Sequence, residues 1–560
     1  MLGNLVRNFE ADANASRKQI RDILDNDREL FFTSSIEILK SSPDSRGVQF
    51  LVALLAANGM LLQSLCDPSL SKEDALSLGR AARRVDPMVD ATLARDLADS
   101  AVGSGSTVIA DPARVMDILS EIGDPSRIMG SLMRMMRHPN PYLRSKAVKM
   151  IGRGTRSVKW VMGRLSEADP RVRANAVESL WGLETPEARA LLNFATNDAD
   201  NRVVGNALLG LYHMGEASVL SDVIRLAVNE AAPFRASAAW VMGETADLRF
   251  SEALRRMISE PDATVRKRAF ASLGRLKAAS AIPAIGPEWH VAGRMLPGES
   301  LKGTRRIMVA VASDESKEPP KVAPLQFILS EGGQYVTSYK VMEKPQGEAM
   351  SVIFVIPRSR EAAGGAFFDG AARCLNWKRP SDLWSVLPYI ETGDGEPPAP
   401  HDPDPPLFTS NADALANTLR ATPKKMDCTD LWTAVWRATK QDANQVRGKR
   451  HVILFSSSEE GRIAGHGLIA NMQSSRIPLQ VICSGPNGQL QEFCKRTHVR
   501  YRVGIEEELP LLIEQAYLTL LARYEIAYQP VSADIEEVKV RVQTPNGWGE
   551  TRIPYLKESE

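Results

Sequence analysis

NPYLRSKAVKMIG (140–152), DPRVRANAVESLW (169–181), DNRVVGNALLGLY (200–212), AAPFRASAAWVMG (231–243) and DATVRKRAFASLG (262–274) align without a gap. The shared frame reads Asp or Asn, two residues, an apolar residue, Arg, two residues, Ala, three residues and an apolar residue. Its Arg column is Arg144, Arg173, Val204, Arg235 and Arg266, at spacings of 29, 31, 31 and 31 residues. The Ala column is Ala147, Ala176, Ala207, Ala238 and Ala269, and the apolar column after it is Ile151, Leu180, Leu211, Met242 and Leu273. Self-similarity at a fixed period of this length marks a repeat array. Asp169 and Asp262 stand where a helix N-cap belongs, and Pro170 takes the first helical position, where its missing N–H costs nothing. The column alanines allow close helix approach, and the apolar residues fill the seam. A single helix pair cannot bury its own apolar face, so successive pairs must stack into a solenoid.

This frame resembles the short HEAT-like repeats of bacterial proteins, over residues 124–280. The resemblance implies a curved surface that binds something, usually protein. Residues 1–123 lack the register. Helical stretches near Ala13–Leu24, Arg28–Lys40, Val48–Leu65, Lys72–Arg84 and Pro87–Ala98 read as an irregular helical region that either caps the solenoid or holds degenerate repeats of it. ADPARVMDILSEIG, from Ala110, reads as a worn repeat one step upstream of the first clear one.

Beyond a linker at 281–303 the pattern turns β-rich: RRIMVAVAS, LQFILSEGGQYVTSYKV and SVIFVIPRS. Apolar strands are expected at Ser351–Ile356, Leu383–Ile390, His451–Ser456 and Pro478–Ser484. Helical stretches lie between them at Ala362–Leu375, Ala412–Leu419, Asp430–Thr439 and Gly467–Ser474. Such alternation implies a largely parallel sheet covered on both faces.

The order of VIFVIPRSRE, PSDLWSVLPYIE, MDCTDLWTAV, HVILFSSSEEG and LQEFCKRTHVRYRV resembles bacterial von Willebrand factor A-related proteins, over roughly 304–556. The resemblance implies a β-rich segment at 304–350, an A-like domain at 351–522 and a C-terminal β segment at 523–560 that pairs with 304–350. An acidic proline-rich loop, 391–406, interrupts the A-like domain; its composition fits a mobile extended loop or a polyproline II docking segment. The whole chain is thus expected to be multidomain: an all-α HEAT-like solenoid, then an α/β von Willebrand A (Rossmann-like) domain with a flanking β-rich segment.

That family holds a divalent cation at a metal-ion-dependent adhesion site built from carboxylates and hydroxyls. The positions that align here are Pro357, Ser359, Glu361, Thr429 and Ser456. Pro357 and Ser456 replace both anchoring carboxylates, and neutral hydroxyls compensate poorly for stripping Mg²⁺ of its waters. The expectation is a degenerate site without metal, with Thr429 capping the helix that starts at Asp430.

Composition bounds the rest. At about 150 residues per domain, a chain of 560 residues holds three or four domains. Hydrophobic residues at 44% and charged residues at 24% exclude wholesale disorder and a fibrous repeat. Lys+Arg 69 against Asp+Glu 68 excludes a uniformly polybasic nucleic-acid binder, though not a local basic face. Five cysteines cannot form a disulfide framework, and free thiols fit a reducing compartment. Early charges interrupt any signal-peptide core, and the longest apolar stretch, Phe50–Cys66, is shorter than the ~20 residues that cross a bilayer. A cytoplasmic protein without membrane insertion is expected.

Enzyme motifs are missing from the sequence. The His residues show no zinc spacing, and there is no Cys-x-x-Cys, P-loop or nucleophile elbow; GRIAGHG at Gly461 fits neither phosphate-binding fingerprint. No cofactor is expected. Between Arg127 and Arg173 twelve basic residues face two acids, Glu167 and Asp169. Arg134, Arg137, Lys146, Lys149, Arg153 and Lys159 are the candidate binding residues of this segment, read either as a basic groove for phosphates or an acidic protein, or as a solvated helical face. The preferred function is a non-enzymatic protein–protein interaction scaffold using both halves. The alternative is an RNA-binding protein using the basic surface 127–173, with the two-part layout, and only the layout, of the Ro-type proteins.

Overall fold

The computed structural model describes all residues except 42–44, 101–108, 281–285, 297–302, 315–318, 345–348, 359–364, 391–406, 421–430, 440–448, 457–476, 498, 533–534 and 556–560. The chain divides into two compact units, Met1–Ser280 and Ala281–Glu560. The first is helical throughout its described residues.

In the repeat region one helix of each pair begins at the frame's cap: Pro141–Thr155, Pro170–Glu178, Asn201–His213, Ala232–Thr245 and Ala263–Ser280. Asn140, Asp169 and Asp200 accept the N–H groups of Tyr142, Arg171 and Arg202, satisfying helix donors that have no intrahelical partner. Each of these helices packs on the next one of its kind, forming one layer. The intervening helices, Pro125–Met135, Val158–Met162, Pro186–Ala195, Val219–Leu226 and Ser251–Met257, form the other. All five column alanines are fully buried in the first layer. Gly152 shows how close the approach is: an added Cβ would stand 2.1 Å from Ser179 Oγ.

Residues 1–123 form the helices Leu2–Arg7, Ala13–Asn26, Arg28–Ser41, Arg46–Ala57, Leu61–Leu65, Lys72–Val85, Val89–Asp99 and Pro112–Ile122. From Arg46 onward every second helix stacks on the next, through Lys72–Val85 and Pro112–Ile122 to Pro141–Thr155. The layer rule of the repeats therefore extends upstream without their residue frame, and one continuous core runs from Leu2 to Ile151. The stretch Val48–Leu65 is a pair of helices, Arg46–Ala57 and Leu61–Leu65, because Gly59 turns the chain at φ +71°.

The second unit contains β1 (His290–Met295), β2 (Arg305–Ala312), β3 (Phe327–Glu331), β4 (Gln334–Tyr335), β5 (Tyr339–Glu343), β6 (Ser351–Arg358), β7 (Leu383–Ile390), β8 (Arg450–Ser456), β9 (Leu479–Cys483), β10 (Arg500–Val503), β11 (Tyr524–Tyr528), β12 (Glu537–Thr544) and β13 (Gly547–Pro554). They form three sheets, in the orders β1-β2-β11-β5, β10-β9-β8-β6-β7 and β13-β12-β3-β4. The central five-stranded sheet is parallel throughout. Its β9, LQVIC, is buried at every position, as a sheet covered on both faces requires. Alternate residues feed two cores: Ile353, Val355, Val452 and Leu454 meet Ala434, Val435 and Phe493, while Val352, Phe354, Ile453 and Phe455 meet Phe368, Ile513 and Tyr517. The other two sheets are antiparallel, and β12 alternates buried with exposed or half-buried residues.

The expected linker at 281–303 is corrected by β1, which pairs with β2 from His290↔Ala312 to Met295↔Ile307. A short strand carrying Gly293 gives little periodic signal, and its burial depends on partners distant in sequence. Trp289, just before it, packs where Gly547 has no side chain. The helix expected at Gly467–Ser474 and the loop 391–406 lie outside the described residues.

Candidate functional site: a polar groove on the repeats

The Arg column explains much of the charge in this region. Arg144, Arg173, Arg235 and Arg266 each donate to two main-chain carbonyls, five and six residues earlier, at 2.7–3.2 Å. Each thereby ties down the turn that precedes its own helix. Three of them also reach a carboxylate 25 residues on: Arg144 to Asp169, Arg173 to Asp198 and Arg235 to Glu260. The Arg173 guanidinium holds the Asp198 carboxyl below the usual carboxylate range. These arginines bind consecutive repeats together.

The candidate residues of the basic segment divide in the same way. Arg134 pairs with Asp99, Lys146 with Asp117, Lys149 with Glu178, and Arg153 with Glu178 at 3.7 Å. Burial alone would raise the Asp117 carboxyl, but hydrogen bonds from Lys72, Tyr142 and Lys146 hold it below the usual range. Arg137 and Lys159 are exposed. Lys149 and Arg153 meet at Glu178, and of the six only Lys146 lines a groove on these repeats.

A different set does converge. A groove of about 580 Å³ lies along the capped helices of the repeats, lined by Tyr142, Lys146, Arg171, Asn175, Arg202, Trp240 and Arg268 with smaller side chains between them. It has no Asp or Glu in its lining. Arg171 and Arg202 occupy the same frame position, two residues after the cap, and Lys146, Asn175, Asn206, Ser237 and Arg268 occupy the position four residues later. Positions i and i+4 share one helix face, so the first three repeats present both side chains to the groove, and the last two present only the later one, Ser237 and Arg268. Asn201 Nδ2 donates to Ser237 Oγ at 2.6 Å and Asn206 Nδ2 to the Ala174 carbonyl at 3.0 Å, fixing the floor. Arg171, Arg202 and Arg268 are exposed and have no side-chain partner among the described residues. Charge density along the chain did not reveal this set. Reading the frame column by column would have.

In the second unit, Pro357 and Ser456 lie at the C-terminal ends of the neighbouring parallel strands β6 and β8. The chain moves from β6 to β7 on one side and later to β8 on the other, which makes this the topological switch point where open α/β sheets hold ligands. Ser456 is buried, and beside it Tyr389 Oη donates to the Phe455 carbonyl at 2.8 Å. Ser359, Glu361 and Thr429 lie outside the described residues. Among the described residues no group of three His, Cys, Asp or Glu could hold a metal ion, and no helix is long and apolar enough to cross a membrane.

Residues 158–243 match the family model of HEAT repeats. The N-terminal half is therefore a helical solenoid that contains HEAT repeats, and an α/β region with three sheets follows it. No curated protein matches the chain. Among solved structures it is similar to human deoxyhypusine hydroxylase in complex with glycerol, at 15% identity over 44% of this chain and 96% of that one, TM-score 0.23. It is similar also to an engineered protein, at 16% identity over 50% and 90%, TM-score 0.22. A designed armadillo repeat protein matches at 17% identity over 44% and 99%, TM-score 0.19.

Proposed function

We propose that this protein is a non-enzymatic, cytoplasmic interaction scaffold whose HEAT repeats hold a protein partner. The carrying observation is the groove: consecutive repeats present unpaired donors on one face, and no Asp or Glu lines it. HEAT repeats commonly mediate protein–protein contact, which supports the reading. The basic segment 127–173 supports RNA binding less well, because carboxylates of adjacent helices already neutralise most of its cations.

We read the second unit as a von Willebrand A-like domain that offers a second docking face without metal. Its parallel sheet, its switch point at Pro357 and Ser456, and the antiparallel bridge of Thr409 to the edge strand at Trp384 support this. With Pro357 and Ser456 at the carboxylate positions, partners on that face bind through hydrogen bonds and apolar contact.

Affinity capture with the full chain, with and without nuclease, tests the scaffold reading. Protein partners should remain bound after nuclease treatment and in EDTA; recovery of nucleic acid alone would overturn it. Millimolar Mn²⁺ should leave the melting temperature unchanged, and a rise abolished by Thr429→Ala would establish a working metal site.

A further inference from the structure

We propose that the groove on the repeat helices docks an extended acidic peptide whose carboxylates sit on Arg171, Arg202 and Arg268. The proposal rests on the scaffold reading and gives its partner a chemistry. Lys146 is engaged by Asp117 and the Tyr142 hydroxyl donates to the same carboxylate, so neither is available. What remains is donor in character: three exposed guanidinium groups, the Asn175 amide and the half-buried Trp240 indole, none with a side-chain partner among the described residues. A face of unpaired donors without a lining acid calls for an acceptor-rich, anionic ligand. Guanidinium matches carboxylate bidentately, which gives geometric selectivity as well as charge.

Spacing selects an extended chain. Stacked helices lie about 8–10 Å apart, and an extended peptide advances roughly 3.3 Å per residue, so each repeat passes about three residues. Acids about three residues apart would meet Arg171 and Arg202, and another about six residues on would reach Arg268. The surroundings favour peptide over nucleic acid. Asp169 and Asp200 cap their helices two residues from Arg171 and Arg202, and Glu178 lies on the same helix as Arg171 and Asn175. A backbone with a phosphate at every step would meet these carboxylates, whereas a peptide can place its acids at the arginines only.

The test uses the full chain and fluorescence anisotropy with a labelled peptide of about ten residues, carrying Glu at every third position and Ala-Pro between. A peptide with Gln for each Glu is the control, and oligouridylate of equal charge is the competitor. The Glu peptide should bind at least about tenfold more tightly than the Gln peptide. Arg171→Glu with Arg202→Glu should weaken it by a similar factor or more at unchanged melting temperature. Arg255→Glu with Arg256→Glu, the same charge change on the other helix layer, should leave it as it was. Equal binding of both peptides, or unaltered binding by the Arg171/Arg202 variant, overturns the proposal, and displacement by oligouridylate below the peptide's own concentration replaces it with nucleic-acid binding. Capture with the same variant separates the two levels of the argument. Partners that stay bound to it dismiss the groove and leave the scaffold reading standing, whereas a wild-type chain that captures no protein removes the scaffold reading itself.

Discussion

The two units differ in how far along the chain their contacts reach. In the solenoid, Arg173 meets Asp198 and Arg235 meets Glu260, each 25 residues away. In the sheet unit, Arg306 meets Glu525 across 219 residues, and Tyr555 meets Glu331 across 224. A repeat array is close to one-dimensional, so each element is held by its neighbours and damage stays local. A sheet unit closed by its own C-terminal strands must bring its ends together before most of its core exists. Local periodicity therefore writes the first unit into the sequence visibly, whereas in the second it marks single strands and helices but not their pairing.

Truncation after Tyr528 is the strongest way to break this comparison. It removes β12, which pairs with β3, and β13, which pairs with β12. Hydrogen-exchange protection should vanish from β3 and β4 and remain intact in the repeat helices; a β3 that stays protected would mean the sheet is held locally after all.

Overpacking the repeat seam comes next. Ala176→Leu or Ala238→Leu forces a larger side chain into a fully buried position and should destabilise the solenoid by about 1–3 kcal/mol. Exchange should rise mainly in the adjoining helices. Unchanged denaturant midpoints for both substitutions would contradict the repeat frame.

The third prediction sets the acid responses of the units apart. Burial, then the Arg294 and Lys449 charges, lower the His451 imidazole to about 4. The unfolded chain, titrating near 6.5, binds the proton first, so stability is complete above about 6.5 and declines as pH falls toward 4, by at most about 1.4 kcal/mol per pH unit. His451→Gln should flatten that slope in the sheet unit, read by exchange in β6 and β8. His138 and His213 are lowered by burial too, so the solenoid has a slope of its own that the substitution should not touch.

The smallest effect sharpens the role of the Arg column. Arg173→Lys keeps the charge and loses the fork that reaches two carbonyls and Asp198, which should cost about 1 kcal/mol. The depressed Asp198 carboxyl gives stability that is present above the unfolded Asp value of about 3.9 and lost as pH falls through its lower folded value. Acid unfolding of the variant should be less steep below that pH. An identical profile would place the arginines outside the inter-repeat linkage.

The amino-acid sequence by itself determined the repeat frame, its buried alanines, its caps, and the alternation of apolar strands with helices in the second half. These depend on periodicity within a few turns or one strand. It also identified Pro357 and Ser456 as strand-end residues. Only the tertiary structure decided which cations are free. Arg134, Lys146 and Lys149 look as available in the sequence as Arg171 and Arg202, but Asp99, Asp117 and Glu178 on neighbouring helices occupy the first three. The strand at His290–Met295 was likewise settled by its pairing with β2. A side chain's charge is local information; whether that charge is already neutralised is a property of the packing around it.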